Sequence, residues 1–147
     1  MSTTINAIKG SIMDCNLAEG IAVFVQEKAK HEPRFEEAGW KFLPTPNASL
    51  QHLNKGIAKY LICFDNDRDN GVKSIDDMRA QVVATLDAFA KESVKTIAMN
   101  GIRCDDRPDP NIRPEAYQRQ YVEEYVAAHP DAFDTICLVD LHGGFKH

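Results

Sequence analysis

Residues 74–101 read SIDDMRAQVVATLDAFAKESVKTIAMNG, and this stretch decides the fold. Ser74 is a good N-cap, because its hydroxyl accepts a hydrogen bond from a first-turn N–H. Asp76 and Asp77 follow where the helix dipole favours negative charge. Ile75, Met78, Val82, Leu86 and Phe89 recur at steps of three or four, which places them on one helical face packed against a sheet. The spacing then predicts a strand over 95–100, with Gly101 turning the chain out of it. A helix feeding an apolar strand is half of a βαβ unit, whose crossover makes neighbouring strands parallel.

Outward from this stretch the alternation continues. A strand is expected over 5–12, ending in the polar turn Asp14-Cys15-Asn16. A helix is expected over 19–30, with Ile21, Phe24, Val25 and Ala29 on one face. Pro33 starts a second short helical piece that Gly39 ends. Trp40-Lys41-Phe42-Leu43 reads as a short strand that Pro44 and Pro46 interrupt, and Leu50 with Leu53 suggests one helical turn. Residues 58–64 are nearly all apolar, as in a strand covered on both faces, and they end in Asp65-Asn66-Asp67. Pro114 suits the first turn of another helix, along which Tyr117, Tyr121 and Tyr125 form a packing stripe. Residues 134–141 form the last strand, followed by Gly143-Gly144. The expected architecture is one α/β domain over 1–147: a three-layer α/β/α sandwich with a mostly parallel, mixed sheet.

Bulk properties narrow the function. The chain has 147 residues, 44% hydrophobic and 27% charged, which suits one globular domain rather than disorder. A formal net charge of −5 argues against broad nucleic-acid or anionic-membrane binding. No apolar run approaches the ~20 residues that span a bilayer, and the N-terminus has no leader pattern, so a cytoplasmic protein is expected. The four cysteines, Cys15, Cys63, Cys104 and Cys137, include no C-x-x-C pair. Cys63 and Cys137 sit in apolar runs, as buried thiols of a reducing compartment do.

Ligands of open α/β sheets bind beyond the carboxyl ends of the strands. Parallel strands bring Asp14, the turn after Asp65, the segment Asn100 to Asp106, and Asp140 with His142 to one rim. Asn100-Gly101-Ile102-Arg103 is the most informative loop: glycine permits close backbone approach, turn N–H groups cradle phosphate, and Arg103 adds charge. Gly20, read as opening a helix, offers a second anion site. The dinucleotide fingerprint G-x-G-x-x-G and the P-loop are both absent. Catalytic candidates are Asp105, Asp106 and His142, with Cys104 and His142 as an alternative thiolate pair. That set is too thin to hold an ion, so neither metal nor cofactor is expected.

The order of these pieces resembles a diverged macrodomain, a small α/β module that binds ADP-ribose and related nucleotides. Ile8-Lys9-Gly10-Ser11-Ile12 resembles that family's first strand, where Gly-Asp-Ile is common. Glu19-Gly20-Ile21-Ala22 is similar to its glycine-rich loop leading into a helix. Val94-Lys95-Thr96-Ile97-Ala98-Met99-Asn100-Gly101 looks like its strand and phosphate loop. Departures accompany the likeness. Ser11 stands where many members have the acid that contacts adenine, with Asp14 the nearest replacement, and the strand carrying the family's asparagine pair is missing or shortened between Cys15 and Gly20. Asn100 replaces a proline. The resemblance implies a small-molecule partner, ADP-ribose or a related nucleotide-derived phosphate. Asp14 would lie near base or sugar, and Gly20, Ile21, Asn100, Gly101, Ile102 and Arg103 would line the ligand site, with hydrolysis of an ADP-ribose derivative as an extension. Two other readings stand beside it: a small hydrolase or transferase using the 104–106 loop with His142, and a degenerate module that acts as a protein scaffold through its rim or tyrosine helix.

Overall fold

The structure, a computed structural model, describes residues 3–10, 18–25, 40–45, 48–53, 60–65, 72–104 and 106–145. Its anchor is α1, Ile75–Lys91, capped as expected: the Asp77 N–H donates to Ser74 Oγ at 3.2 Å. Met78, Val82, Leu86 and Phe89 on this helix are fully buried. The helix ends through Ser93, whose φ of 58° lies in the left-handed region that favours glycine. A second helix, α2 (Pro114–Ala128), carries Pro114 in its first turn and buries Gln118, Tyr121, Val122 and Tyr125.

Among the described residues seven strands make one sheet: β1 (Thr4–Lys9), β2 (Gly20–Val25), β3 (Trp40–Thr45), β4 (Ala48–Leu53), β5 (Tyr60–Asp65), β6 (Thr96–Met99) and β7 (Thr135–Asp140). Their spatial order is β1-β7-β6-β2-β5-β4-β3. The first five in that order are mutually parallel, and β4 runs antiparallel to both β5 and β3. The sheet is thus mostly parallel with a mixed edge, as the alternation of elements predicts.

Register explains the core. Ile5 pairs with Ile136, Ile136 with Ile97, and Ile97 with Gly20. One step on, Ala7, Leu138, Met99 and Ala22 form the next row. With strand period two, both rows share one face, and they pack on α1 and α2. The alternate residues Ile21, Val23, Ala98, Cys137 and Val139 are buried as well, so both faces of the inner strands are covered. Gly20 has a packing reason: a Cβ there would lie 2.7 Å from the Phe89 ring and 3.0 Å from Val94.

Several expectations need correction. Residues 20–25 form an inner strand, not the start of a helix over 19–30. Every residue from Gly20 to Phe24 is buried, and a short unbroken apolar run with Ile21 and Val23 satisfies a two-sided strand better than a one-sided helix. Leu50 and Leu53 lie in β4 and not in a helical turn, because pairing with β5 and β3 supplies their backbone partners. Pro44 belongs to β3, at the sheet's outer edge, where a missing N–H is tolerated. The first strand stops at Lys9. The helical piece expected over 33–39 and the turn at Asp14 lie outside the described residues.

Candidate functional site

The carboxyl ends of β1, β6 and β7 enclose a cavity of about 310 Å³. Gly10 closes it from β1, Asn100 to Arg103 from the loop after β6, Val139 to Leu141 from β7, and Pro114 with Glu115 from the start of α2.

The wall after β6 is held rigidly. The Phe24 N–H donates to Asn100 Oδ1 at 2.8 Å, and Asn100 Nδ2 donates to the Phe24 carbonyl at 3.2 Å. The Asn100 N–H donates to the Ala22 carbonyl at 3.3 Å. Asn100 therefore extends the β2–β6 ladder with its own side chain. Gln118, fully buried on α2, grips the same turn: the Ile102 N–H donates to its Oε1 at 2.7 Å, and its Nε2 donates to the Asn100 carbonyl at 2.8 Å. The Ile102 N–H is thereby spent inside the protein, and the Ile102 side chain is in the core. No partner for the Gly101 N–H is found among the described residues.

The rest of the long loop is stapled by Arg107. Its guanidinium donates to the carbonyls of Cys104, Pro110 (2.9 Å) and Ile112 (2.8 Å), and the Asp109 N–H donates to the Tyr117 hydroxyl at 3.1 Å. A single planar fork satisfying three carbonyls orders a segment that lacks regular structure.

The β7 wall is built by Asp140. Its Oδ2 accepts from the N–H groups of Gly144 at 2.7 Å and His142 at 3.1 Å. Its carbonyl accepts from Gly10 at 2.9 Å and from Gly143 at 3.2 Å. Gly143, at φ +73°, makes the reversal possible. Arg119 on α2 donates to the Phe145 carbonyl at 2.8 Å and ties this segment to the helix layer.

Four expected site residues, Asn100, Gly101, Ile102 and Arg103, meet on one wall. Gly20 and Ile21 do not join them. They sit at the amino end of β2, level with Ile97 and Ala98, roughly 13 Å back along the strands from Gly101. With no helix beginning there, Gly20 has no helical N–H groups to offer an anion. Asp106 is exposed on the stapled loop and His142 is exposed beside Asp140, while Asp14 and Asp105 lie outside the described residues. Cys104 is fully buried in the main core, which removes it from substrate and from a pairing with His142. Among the described residues no cluster of three metal-ligating side chains occurs. Asp140 lies on the rim as expected, whereas Gly10, Glu115 and Gln118 were not anticipated as site residues. The register of β1 against β7, Lys9 opposite Asp140, was the missing information for Gly10.

No protein-family model matches the sequence, and no curated protein sequence matches it either. Solved structures do. A Trypanosoma brucei macrodomain in complex with ADP superposes with a TM-score of 0.70 at 15% identity, covering 97% of this chain and 66% of that one. The same protein in complex with ADP-ribose gives 0.69 at 14% identity, covering 96% and 67%. The macrodomain of Mycobacterium tuberculosis DarG gives 0.62 at 11% identity, covering 92% and 97%. The chain has the macrodomain fold. It spans about two thirds of the trypanosome chain (66%) but nearly all of the DarG macrodomain. Residues 20–22 belong to a strand here and do not form a glycine-rich loop before a helix. β2 begins at Gly20, and of the segment from Cys15 to Gly20, where a strand was expected to be missing or shortened, residues 15–17 lie outside the described residues.

Proposed function

We propose that the rim cavity binds ADP-ribose or a related nucleotide-derived phosphate. The observation that carries this reading is the Asn100–Arg103 turn. It is clamped from two sides so that the Gly101 N–H is left over, at the carboxyl ends of parallel strands where α/β folds bind ligands. The N-terminus of α2 contributes its positive dipole end to the same cavity. Solved proteins of this fold carry ADP and ADP-ribose, which supports the ligand class. At about 310 Å³ the cavity takes the nucleotide part of such a ligand, with the remainder lying along the rim.

Hydrolysis of an ADP-ribose derivative is an extension of this proposal. Asp106, exposed on the stapled loop, and His142, exposed beside Asp140, are its candidates for positioning water. The chain acts as a single domain in a reducing, cytoplasmic setting, which suits its buried Cys104 and Cys137 thiols. Among the described residues no helix is long and apolar enough to cross a membrane. The scaffold reading draws no support from the tyrosine stripe, because Tyr121 and Tyr125 are buried in the core.

A thermal-shift screen with ADP-ribose, ADP, NAD, AMP and cyclic nucleotides tests the proposal. A ligand at about 100 times its dissociation constant adds ~2.7 kcal/mol. Absence of a shift with all of them refutes nucleotide binding. Retained binding but lost turnover in Asp106→Ala supports the hydrolytic extension, and unchanged turnover removes it.

A further inference from the structure

The cavity contains one acid that the fold employs and one that it does not. Asp140 is employed, as acceptor for His142 and Gly144. Glu115 is only 15% exposed, yet among the described residues its carboxylate accepts no hydrogen bond. Its Oε2 is shut off from solvent, with the Arg113 Nε 3.5 Å away as an ion-pair partner. Its Oε1 is turned toward the Gly101 turn, 3.7 Å from where a Cβ on Gly101 would lie. A Cβ on Gly144 would come within 3.0 Å of the Glu115 carboxyl carbon, so a glycine there leaves the group its room. A carboxylate drawn from water without donors is costly, and one ion pair at 3.5 Å recovers only part of that cost. A donor brought by a ligand would complete it.

We infer that Glu115 is the specificity-determining acceptor of the cavity. It takes a hydrogen bond from an N–H or O–H donor on the base or ribose of a nucleotide whose phosphate lies at the Gly101 turn. This rests on the nucleotide reading above. Arg113 orients the carboxylate through Oε2, which leaves Oε1 for the ligand.

Calorimetric titration of the full chain tests this, using ADP, IDP, 2′,3′-dideoxy-ADP and pyrophosphate. IDP replaces the base amine by a carbonyl, and the dideoxy compound removes the ribose donors. Glu115→Met should weaken ADP about ten- to hundredfold, the range of a lost hydrogen bond to a charged group, and Glu115→Gln less, because an acceptor remains. Pyrophosphate affinity should stay within about twofold. One analogue should bind the wild type as weakly as ADP binds Glu115→Met, which identifies the donor as amine or hydroxyl. ADP affinity within about twofold of wild type in Glu115→Met overturns the inference. So does a parallel loss of pyrophosphate binding, which would mean a collapsed wall, or equal binding of both analogues and ADP. A wild-type chain that binds no ADP overturns the nucleotide reading first, and this assignment with it.

Discussion

Gln118→Leu examines the clamp behind the candidate site. The substitution keeps a side chain of similar size but removes both hydrogen bonds to the turn. The Ile102 N–H loses a fully buried acceptor at 2.7 Å, and the Asn100 carbonyl loses a donor at 2.8 Å. A buried group left without a partner costs ~1–3 kcal/mol, and the half-buried carbonyl, which water can reach, costs nearer ~1 kcal/mol. Better transfer of Leu into the core offsets roughly 1 kcal/mol. The net loss should be about 1–3 kcal/mol, a fall of roughly 3–10 °C in Tm for a chain of this length. Calorimetric unfolding reads the fall, and amide hydrogen exchange at Ile102 should quicken to match. ADP-ribose affinity should fall as well, because the Gly101 turn is no longer held. A Tm within about 2 °C of wild type, with Ile102 still protected, would show that the turn does not depend on Gln118.

Three further predictions follow from packing and charge. Gly20→Ala should destabilise by about 1–3 kcal/mol in denaturant unfolding, because the Phe89 ring occupies the space of the new methyl and is itself fully buried. It should leave ligand affinity at the rim unchanged. Ser93→Gly should stabilise by about 1 kcal/mol, since it relieves a left-handed backbone at the end of α1. The Tyr125 hydroxyl, buried and donating to Asp87 at 2.7 Å, has its pKa raised above 10.0 by desolvation first and by that hydrogen bond second. The folded state therefore holds this proton more tightly than the unfolded chain. Its stabilisation is complete below pH about 10 and is lost as pH rises further. Tyr125→Phe should flatten the alkaline limb of a stability–pH curve, and an unaltered limb would count against this account.

Much of the architecture can be read from residues. The Ser74 cap, the apolar steps from Met78 to Phe89 and the strand before Asn100 are local signals, each with one dominant physical meaning. The Asn100–Arg103 turn is legible for the same reason: a glycine after a buried strand marks a rim. β2 is not legible in this way. Residues 20–25 are apolar throughout, and such a run carries no period to separate strand from helix until its neighbours β5 and β6 are known. Misreading β2 carried Gly20 into the site. Gly20 answers to Phe89, a contact 69 residues away along the chain, and no local pattern announces it. Glu115 and Gln118 escaped notice because their roles depend on which strand ends meet α2.

The pairing of β1 with β7 has a consequence for how this chain folds. Thr3 donates to the carbonyl of Phe133, 130 positions onward, and Gly10 reaches the cavity only by lying against Asp140. During synthesis the earliest strand must wait, its neighbour still untranslated, until the segment carrying Asp140 emerges. A ligand of the rim cavity cannot therefore help the nascent chain to fold in its early stages. It can only trap molecules whose two distant ends have already met, and loop closure of that span comes before any help from the ligand.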